Sequence, residues 1–464
     1  MVIISQVSYR TVLLLRRSSL YCCHQLNLAC LPPIFNIPDL PCFRTFSSER
    51  TAMVFLCSVA ALRNTSIRSV SAFTSSSVSR SASTTINNSQ LKASFLEEIT
   101  KSFSSMTGGA TGNNSKSKYY TVGITGASGL IGTAFQNELQ QAGKTVNGKP
   151  VRVVTFRRGS EAETVDQESL SDDVFTSANS KSVTWSAAST AGAIDTTVLQ
   201  SLDALVHLSG ENISTGQGIL APLGIRPWTD SKKQEIIESR TTTTTALANA
   251  IAQSGNKKCD FLVASGVGVY GPDFVGAAGA STPAADESTD VSSTTGFLAD
   301  VSRVWEASTA PAQKAGNRVV QMRNGVALST KGGALAKLYP IFFLGGGGIV
   351  GGGDQYFPFV SNRDVARAMV HLLETPSLKG PVNMCAPEPA TNADFTAAMG
   401  TVLKRPTLLP FPGFAVSLLF GEMGEEVLLG GTKATPKKLL DSGFAFLHPT
   451  VEDSVRSAVD EKEI

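Results

Sequence analysis

The stretch Lys118–Gly143, KYYTVGITGASGLIGTAFQNELQQAG, decides the fold. Tyr119 to Thr125 is a β-prone run, and Leu130, Ile131, Phe135 and Leu139 then recur at helical spacing until Gly143 ends the segment. Between them Gly126, Gly129 and Gly132 fall at the G-x-x-G-x-x-G spacing. Glycines at such a strand-to-helix junction permit a tight turn and let backbone N–H groups approach a pyrophosphate at the helix N-terminus. Three glycines alone are weak evidence. Here they follow a strand, open a helix and precede a second strand, which is the context the motif requires. Gly126, Ser128, Gly129, Leu130, Ile131 and Gly132 are therefore the expected dinucleotide cradle.

The second strand, VRVVTFRRGS from Val151 to Ser160, selects among cofactors. An NAD-selective site places an acidic residue near the end of this strand to accept the ribose hydroxyls. Arg157 and Arg158 stand there instead. Two solvated loop arginines are the plainer reading, but guanidinium groups at this position suit a 2′-phosphate and predict NADP(H). A short strand at Ser182–Trp185 follows, then the apolar strand ALVHLSG from Ala204 to Gly210. The latter is expected beside the glycine loop, with Leu208, Ser209 and Gly210 near the adenosine or ribose. His207, inside that apolar run, reads as a satisfied core histidine.

A helix is predicted after Trp228, capped by Thr229 or Asp230, although its five consecutive threonines need tertiary support. CDFLVASGVGVYG from Cys259 and NRVVQMRNGVAL from Asn317 supply a fifth and a sixth strand. Strands alternating with helices at this rhythm predict a Rossmann-type α/β fold, a doubly wound parallel sheet. The expected organisation is a targeting leader over 1–117, a nucleotide-binding domain over 118–330 and a smaller C-terminal domain over 331–464, with strands free to cross the last boundary.

Composition narrows the function classes. Of 464 residues 42% are hydrophobic and 17% charged, and the net charge of +2 gives no reason to expect nucleic acid as a partner. Five of the seven cysteines lie in the first 57 residues, leaving Cys259 and Cys385 as ordinary core residues. With His207, His371 and His448 each isolated, no metal site is predicted. The leader is acid-poor, with Arg10, Arg16 and Arg17 among apolar runs, and from Met53 becomes rich in Ser, Thr and Arg. This pattern predicts organelle import, to a plastid or alternatively to a mitochondrion. Val54–Leu62 is too short to span a bilayer, so no stable membrane insertion is expected.

The chain resembles the extended short-chain dehydrogenase/reductases, in the atypical subgroup called epimerase family proteins, from about Tyr120 to Val459. The resemblance rests on GITGASGLIG, LSGENI (Leu208–Ile213), WTDSKKQEIIESR (Trp228–Arg240), SGVGVYG (Ser265–Gly271), FLADVSRVWEA, RNGVALSTKGGAL, GPVNMCAPEP and a C-terminal RPTLLPFP…LLDSGFAF. It implies an NADP-binding Rossmann domain, a smaller discontinuous substrate domain, and oxidoreductase or epimerase chemistry on an unidentified small molecule. Active members use a Ser or Thr, a Tyr and a Lys, the last two four residues apart on one helix face. The corresponding helix here begins at Gly296. Aligned through Glu306, it puts Leu298 at the tyrosine position and Ser302 at the lysine position. No shift of register restores the pair: between Tyr270 and Tyr339 there is no tyrosine, and the lysines there are Lys314, Lys331 and Lys337.

Other groups are candidates for the missing chemistry. Ser265 stands one residue before the usual hydroxyl position, which falls on Gly266, and Tyr270 at the end of the fifth strand offers a phenol. Asn212, Trp228, Lys232 and Arg240 are placed to line the cleft, with Asn212 and Arg240 balanced between cofactor contact and structural roles. Lys232 reads rather as a solvated helix lysine and Trp228 as a packing anchor. Arg323 and Asn324 close the sixth strand. Seven glycines within the nine residues Gly345–Gly353 predict a mobile loop over the cleft, or a passive connector. Two functions follow: an NADP(H)-dependent oxidoreductase or epimerase-like enzyme with a non-standard proton donor, or a non-catalytic nucleotide-binding regulator that engages a protein partner, for example in plastid division.

Overall fold

A computed structural model describes residues 118–141, 143–165, 180–188, 192–213, 228–272 and 283–460; the expected leader lies outside them. Strand β1 (Tyr120–Thr125) is buried at every position and leads through the glycine loop into α1 (Leu130–Leu139). The hairpin strand β2 (Thr145–Val146) turns into β3 (Lys149–Arg158), and β4 (Ser180–Trp185) follows. Next come α2 (Thr196–Ser201), β5 (Ala204–His207), the long α3 (Asp230–Ser254) and β6 (Asp260–Gly266). A turn at Val267–Tyr270 ends β6, and α4 (Phe297–Ala307), α5 (Ala310–Lys314) and β7 (Val319–Asn324) complete this series.

With β11 (Gly380–Met384) at one edge, the sheet runs β11-β7-β6-β5-β1-β3-β2, with β4 on β3; every pairing is parallel except β2 with β3. Both faces are covered, which explains why its strands read as continuous apolar runs. Val122, Ile124, Ala204 and Val206 pack with α1 on one face, while Phe156, Leu205 and Phe261 pack with Leu247 and Ile251 of α3 on the other. A β-carbon on Gly123 would come 2.7 Å from the Phe156 ring and 2.8 Å from Leu202, so glycine lets a central strand sit under two large side chains.

The threonine run of α3 is held from outside. Thr243 Oγ1 donates to Ser239 O, and the Trp305 indole donates to Thr244 Oγ1 at 2.9 Å. Thr229 caps this helix by accepting from Lys232 N, and Gly255 ends it in the left-handed region.

The second unit is interleaved with the first. After β7 the chain forms β8 (Val326–Leu328), α6 (Gly333–Phe343), the glycine-rich segment, β9 (Tyr356–Phe357) and β10 (Phe359–Ser361). It then returns as α7 (Asn362–Glu374), packed against α1, and β11 (Gly380–Met384), which extends the main sheet. It leaves again as β12 (Ala390–Thr391), α8 (Asn392–Leu403), α9 (Gly413–Gly424) and a wide turn at Glu425–Leu429. Near the end come α10 (Lys437–Asp441) and α11 (Val451–Asp460). α7 and β11 thus rejoin the first series from beyond residue 330. Ser361 caps α7, and the Asp364 carboxylate accepts the backbone N–H groups of Leu447 and His448.

Candidate active site

The glycine loop is closed by its own backbone. Gly129 N donates to Gly126 O at 3.0 Å, and no side chain caps the start of α1, so its first N–H groups face outward. Gly126 has φ +70°, and a β-carbon there would lie 2.8 Å from Leu208 C and 2.9 Å from Ser209 N. One on Gly132 would lie 2.3 Å from Gly126 O. The segment after β5 thus runs directly against the loop, as expected, with Leu208, Ser209 and Gly210 alongside. Gly129 is less crowded, and Ser128 is exposed. Ile131 packs toward the core and Leu130 toward Gly332 and Gly333, which leaves their backbone N–H groups as what they can offer a phosphate.

Arg157 and Arg158 are exposed at the carboxyl end of β3, immediately beyond the Thr125–Phe156 pairing that brings β3 level with the loop. The Arg158 guanidinium lies 5.9 Å from the Trp185 ring centroid. A cradle that β-carbons would fill, an uncapped helix N-terminus and two guanidinium groups beside it fit a phosphorylated dinucleotide. His207 takes no part. It is buried between Thr125 Oγ1 (2.6 Å) and Thr243 Oγ1 (3.2 Å), and burial, with Arg158 adding to it, lowers its pKa to about 3.

Next to this cradle, at the carboxyl ends of β6 and β7, is a cavity of about 450 Å³. One wall comes from the β6 end and α4, the other from α6, the glycine-rich segment, α8 and the turn after α9. Leu298 and Ser302 both line it, putting a hydrocarbon and a short hydroxyl in its wall. Small residues let α4 come this close: a β-carbon on Gly268 would meet Leu298 Cβ at 3.2 Å, and one on Gly266 would lie 3.7 Å from Ser302 Oγ.

Ser265 and Tyr270 belong to a buried polar chain behind that wall. Ser265 Oγ donates to Glu306 Oε1 at 2.9 Å, and Arg323 grips the same carboxylate through Nε (2.8 Å) and Nη2 (2.9 Å). Arg323 Nη1 donates to the Tyr270 hydroxyl, which lies 2.8 Å from Asn383 Oδ1 and 2.9 Å from Asp286 O. Tyr270, the candidate phenol, does not line the cavity. Burial pushes its pKa up to about 12 against the opposing pull of Arg323. Its place on the turn after β6 aims the ring at β7 and β11, which is the physical reason it does not line the cavity. Ser265 does reach the cavity wall, but with its proton given to Glu306 it presents an acceptor there.

Lys232 is buried rather than solvated, 2% exposed, with Nζ 2.6 Å from Glu211 Oε1 and 3.5 Å from Glu235 Oε2. The ion pair ties the loop after β5 to the start of α3. Trp228 is a packing anchor, its indole donating to Ile213 O and its ring meeting Phe297 edge-on. Arg240 lies against Gly210, stacks over Trp305 at 5.0 Å and donates to Ile236 O; burial lowers its pKa to about 10 despite nearby Glu211. It also lines the cavity, placing a cation where the two halves of the site meet, whereas Asn212 is exposed in the loop outside it.

The glycine-rich segment is pinned rather than loose. Val350 N donates to Asn392 Oδ1, Gly351 N to Phe411 O, and Phe411 N to Ile349 O. A β-carbon on Gly348 would overlap Leu409 O at 2.0 Å, so the glycines serve close backbone packing in the cavity wall. Sequence reasoning missed Glu426, whose carboxylate accepts the N–H groups of Phe297 (2.5 Å) and Leu298 (3.0 Å) and so caps α4 from the far end of the chain. The available signal was negative: Gly296 begins α4 and has no side chain to cap it.

Comparison with known proteins agrees with this architecture. The model of the NAD dependent epimerase/dehydratase family matches residues 122–385, and a domain of unknown function, DUF1731, matches 411–458. Epimerase family protein Mb2239 of Mycobacterium bovis is 37% identical over 72% of this chain and 96% of its own length. Epimerase family protein SDR39U1 homolog, chloroplastic, of Arabidopsis thaliana is 31% identical over 74% of this chain and 88% of its own. The crystal structure of human epimerase family protein SDR39U1 (isoform 2) with NADPH superposes with a TM-score of 0.57 at 27% identity, covering 73% of this chain and 99% of that one.

Proposed function

This chain belongs to the NAD dependent epimerase/dehydratase family, and we propose that it is an NADPH-dependent oxidoreductase that reduces a small carbonyl compound without a Tyr-x-x-x-Lys pair. One observation carries the reading: the uncapped α1 N-terminus and the arginines ending β3 lie on the same carboxyl edge of the parallel sheet as a cavity at the ends of β6 and β7 large enough for a small molecule. The human relative solved with NADPH supports the choice of cofactor. In this reading the N–H groups of Leu130, Ile131 and Gly132 hold the pyrophosphate, and Arg157 and Arg158 hold the 2′-phosphate. Leu208, Ser209 and Gly210 flank the adenosine side. Bound NADPH supplies a hydride to a carbonyl carbon, leaving NADP⁺, and the carbonyl oxygen takes one proton to become a hydroxyl.

The residues in the wall constrain how that proton arrives. Ser265 is committed to Glu306, which is itself held by Arg323. Ser302 and the Asn324 amide are the wall groups able to hydrogen-bond the substrate oxygen, Asn324 being oriented by Ser265 O at 3.3 Å. Neither approaches a lysine-assisted phenol in acidity, so proton delivery comes through solvent and turnover is slow. The Ser- and Arg-rich leader and the chloroplastic name of the Arabidopsis relative support placing the protein in a plastid.

The test is fluorescence titration of the protein with NADPH and NADH, repeated on Arg157→Ala/Arg158→Ala. Charge-assisted contacts of this kind are each worth about 1.5–3 kcal/mol, so the double variant should lose NADPH affinity by at least tenfold and leave NADH unchanged. Equal affinity for both nucleotides, indifferent to the arginines, would overturn the reading.

A further inference from the structure

The cavity beside the cofactor cradle is built for a different kind of molecule from the cradle itself. Leu298, Val301 and Trp305 face it from α4, and Leu338, Phe342 and Phe395 face it from α6 and α8. Among the described residues two charged side chains line it, Arg240 and Glu426. Both are engaged. Glu426 spends each oxygen on a backbone N–H of α4, and Arg240 lies against Gly210 on the cofactor side, stacked on Trp305.

A ligand with a diphosphate would bring at least two negative charges into this space. Buried charge is tolerated only when paired and hydrogen-bonded, and the wall remote from the cofactor offers no cation among the described residues. What that wall does offer is hydrocarbon, Leu338 and Phe342 from α6 and Phe395 from α8, which matches an apolar body.

We infer that the substrate is an uncharged, mostly hydrocarbon carbonyl compound whose body fills the space between α4, α6 and α8, and that a nucleoside-diphosphate sugar is excluded by charge. The inference rests on the cofactor reading for the identity of the reaction but not for the chemistry of the wall.

The experiment measures binding rather than turnover. The full chain, with and without saturating NADPH, is titrated calorimetrically with 2-decanone, with cinnamaldehyde and with UDP-glucose. The expected result is saturable binding of the neutral carbonyl probes and none of UDP-glucose. Leu338→Glu should abolish probe binding while NADPH affinity, measured on the same sample, stays unchanged and certifies the fold. Binding of UDP-glucose in place of the neutral carbonyls overturns the inference and leaves the cofactor reading standing. Binding of the carbonyls by a chain that does not bind NADPH overturns the cofactor reading and leaves this one standing. Failure of all three probes on a chain that binds NADPH overturns the substrate class.

Discussion

The glycine loop and the cavity next to it are built by opposite means. The loop achieves its shape by leaving side chains out, within residues Gly126–Gly132 that are neighbours in sequence. The cavity is made of side chains, drawn from β6, α4, α6, α8 and the turn near Glu426, more than 160 residues apart at the extremes. A site made of backbone keeps one geometry and serves one ligand class, while a site made of side chains from interleaved segments can be repainted position by position. That contrast explains how this fold keeps a dinucleotide cradle while residues such as Leu298 and Ser302 set the character of the cavity.

The contrast can be broken most sharply at Gly132. Gly132→Val places a branched side chain where even a β-carbon would lie 2.3 Å from Gly126 O. Calorimetric titration should show NADPH affinity reduced beyond detection, because backbone must move. A well-folded variant that still binds NADPH would show that the loop has more slack than its contacts imply.

The cavity side should respond next, through the chain behind its wall. Arg323→Met leaves the buried Glu306 carboxylate without its main partner. Removing one member of a buried ion pair typically costs about 3–5 kcal/mol, to be read from urea unfolding, whereas replacing both members with apolar residues should recover much of it. If the single variant unfolds like the parent, the wall does not depend on this chain.

His207 gives a pH signature to the cofactor side. It is neutral when folded, with its pKa lowered to about 3 by burial, and regains an ordinary value near 6.5 when unfolded. The unfolded state therefore binds the extra proton, and stability falls as pH drops from about 6.5 toward 3, by at most about 1.4 kcal/mol per unit. Above that window the residue contributes no pH dependence. His207→Gln should flatten the limb, and an unchanged acid profile would count against a buried neutral imidazole.

The smallest effect is expected where the halves meet. Lys232→Met removes a buried charge but keeps its volume, and the half-exposed Glu211 can be solvated. The change should stay within about 1 kcal/mol, while Glu211→Gln, which leaves the buried lysine with Glu235 at 3.5 Å as its carboxylate partner, should cost more. A reversal of that order in thermal unfolding would show the pair anchoring the loop after β5.

Sequence patterns carried the first half of the site well. The β1–α1 junction, the arginines ending β3, the strand beside the loop and the core role of His207 are local or periodic features, and the sheet follows from apolar runs covered on both faces. The second half was legible only in its absences. That no Tyr-x-x-x-Lys pair exists could be read directly, but not where Tyr270 points, because its ring direction is set by a turn and by β11, 113 residues on, through Asn383. Lys232 looked solvated because its partner Glu211 precedes it across residues 214–227, and the glycine-rich segment looked loose because its clamps, Asn392 and Phe411, lie on other elements.

By itself, then, the sequence determined the nucleotide fold and the cradle's backbone geometry. Each depends on residues whose effect is felt within a few positions: glycine at a positive φ, an apolar run, a missing side chain. Tertiary structure alone decided which polar groups are spent and which are free. Hydrogen-bond capacity is consumed by whichever partner arrives first in space, and here Glu306, Arg323, Glu426 and Asn383 arrive from distant segments to spend Ser265, Tyr270 and the start of α4. The character of the cavity is what those pairings leave uncommitted.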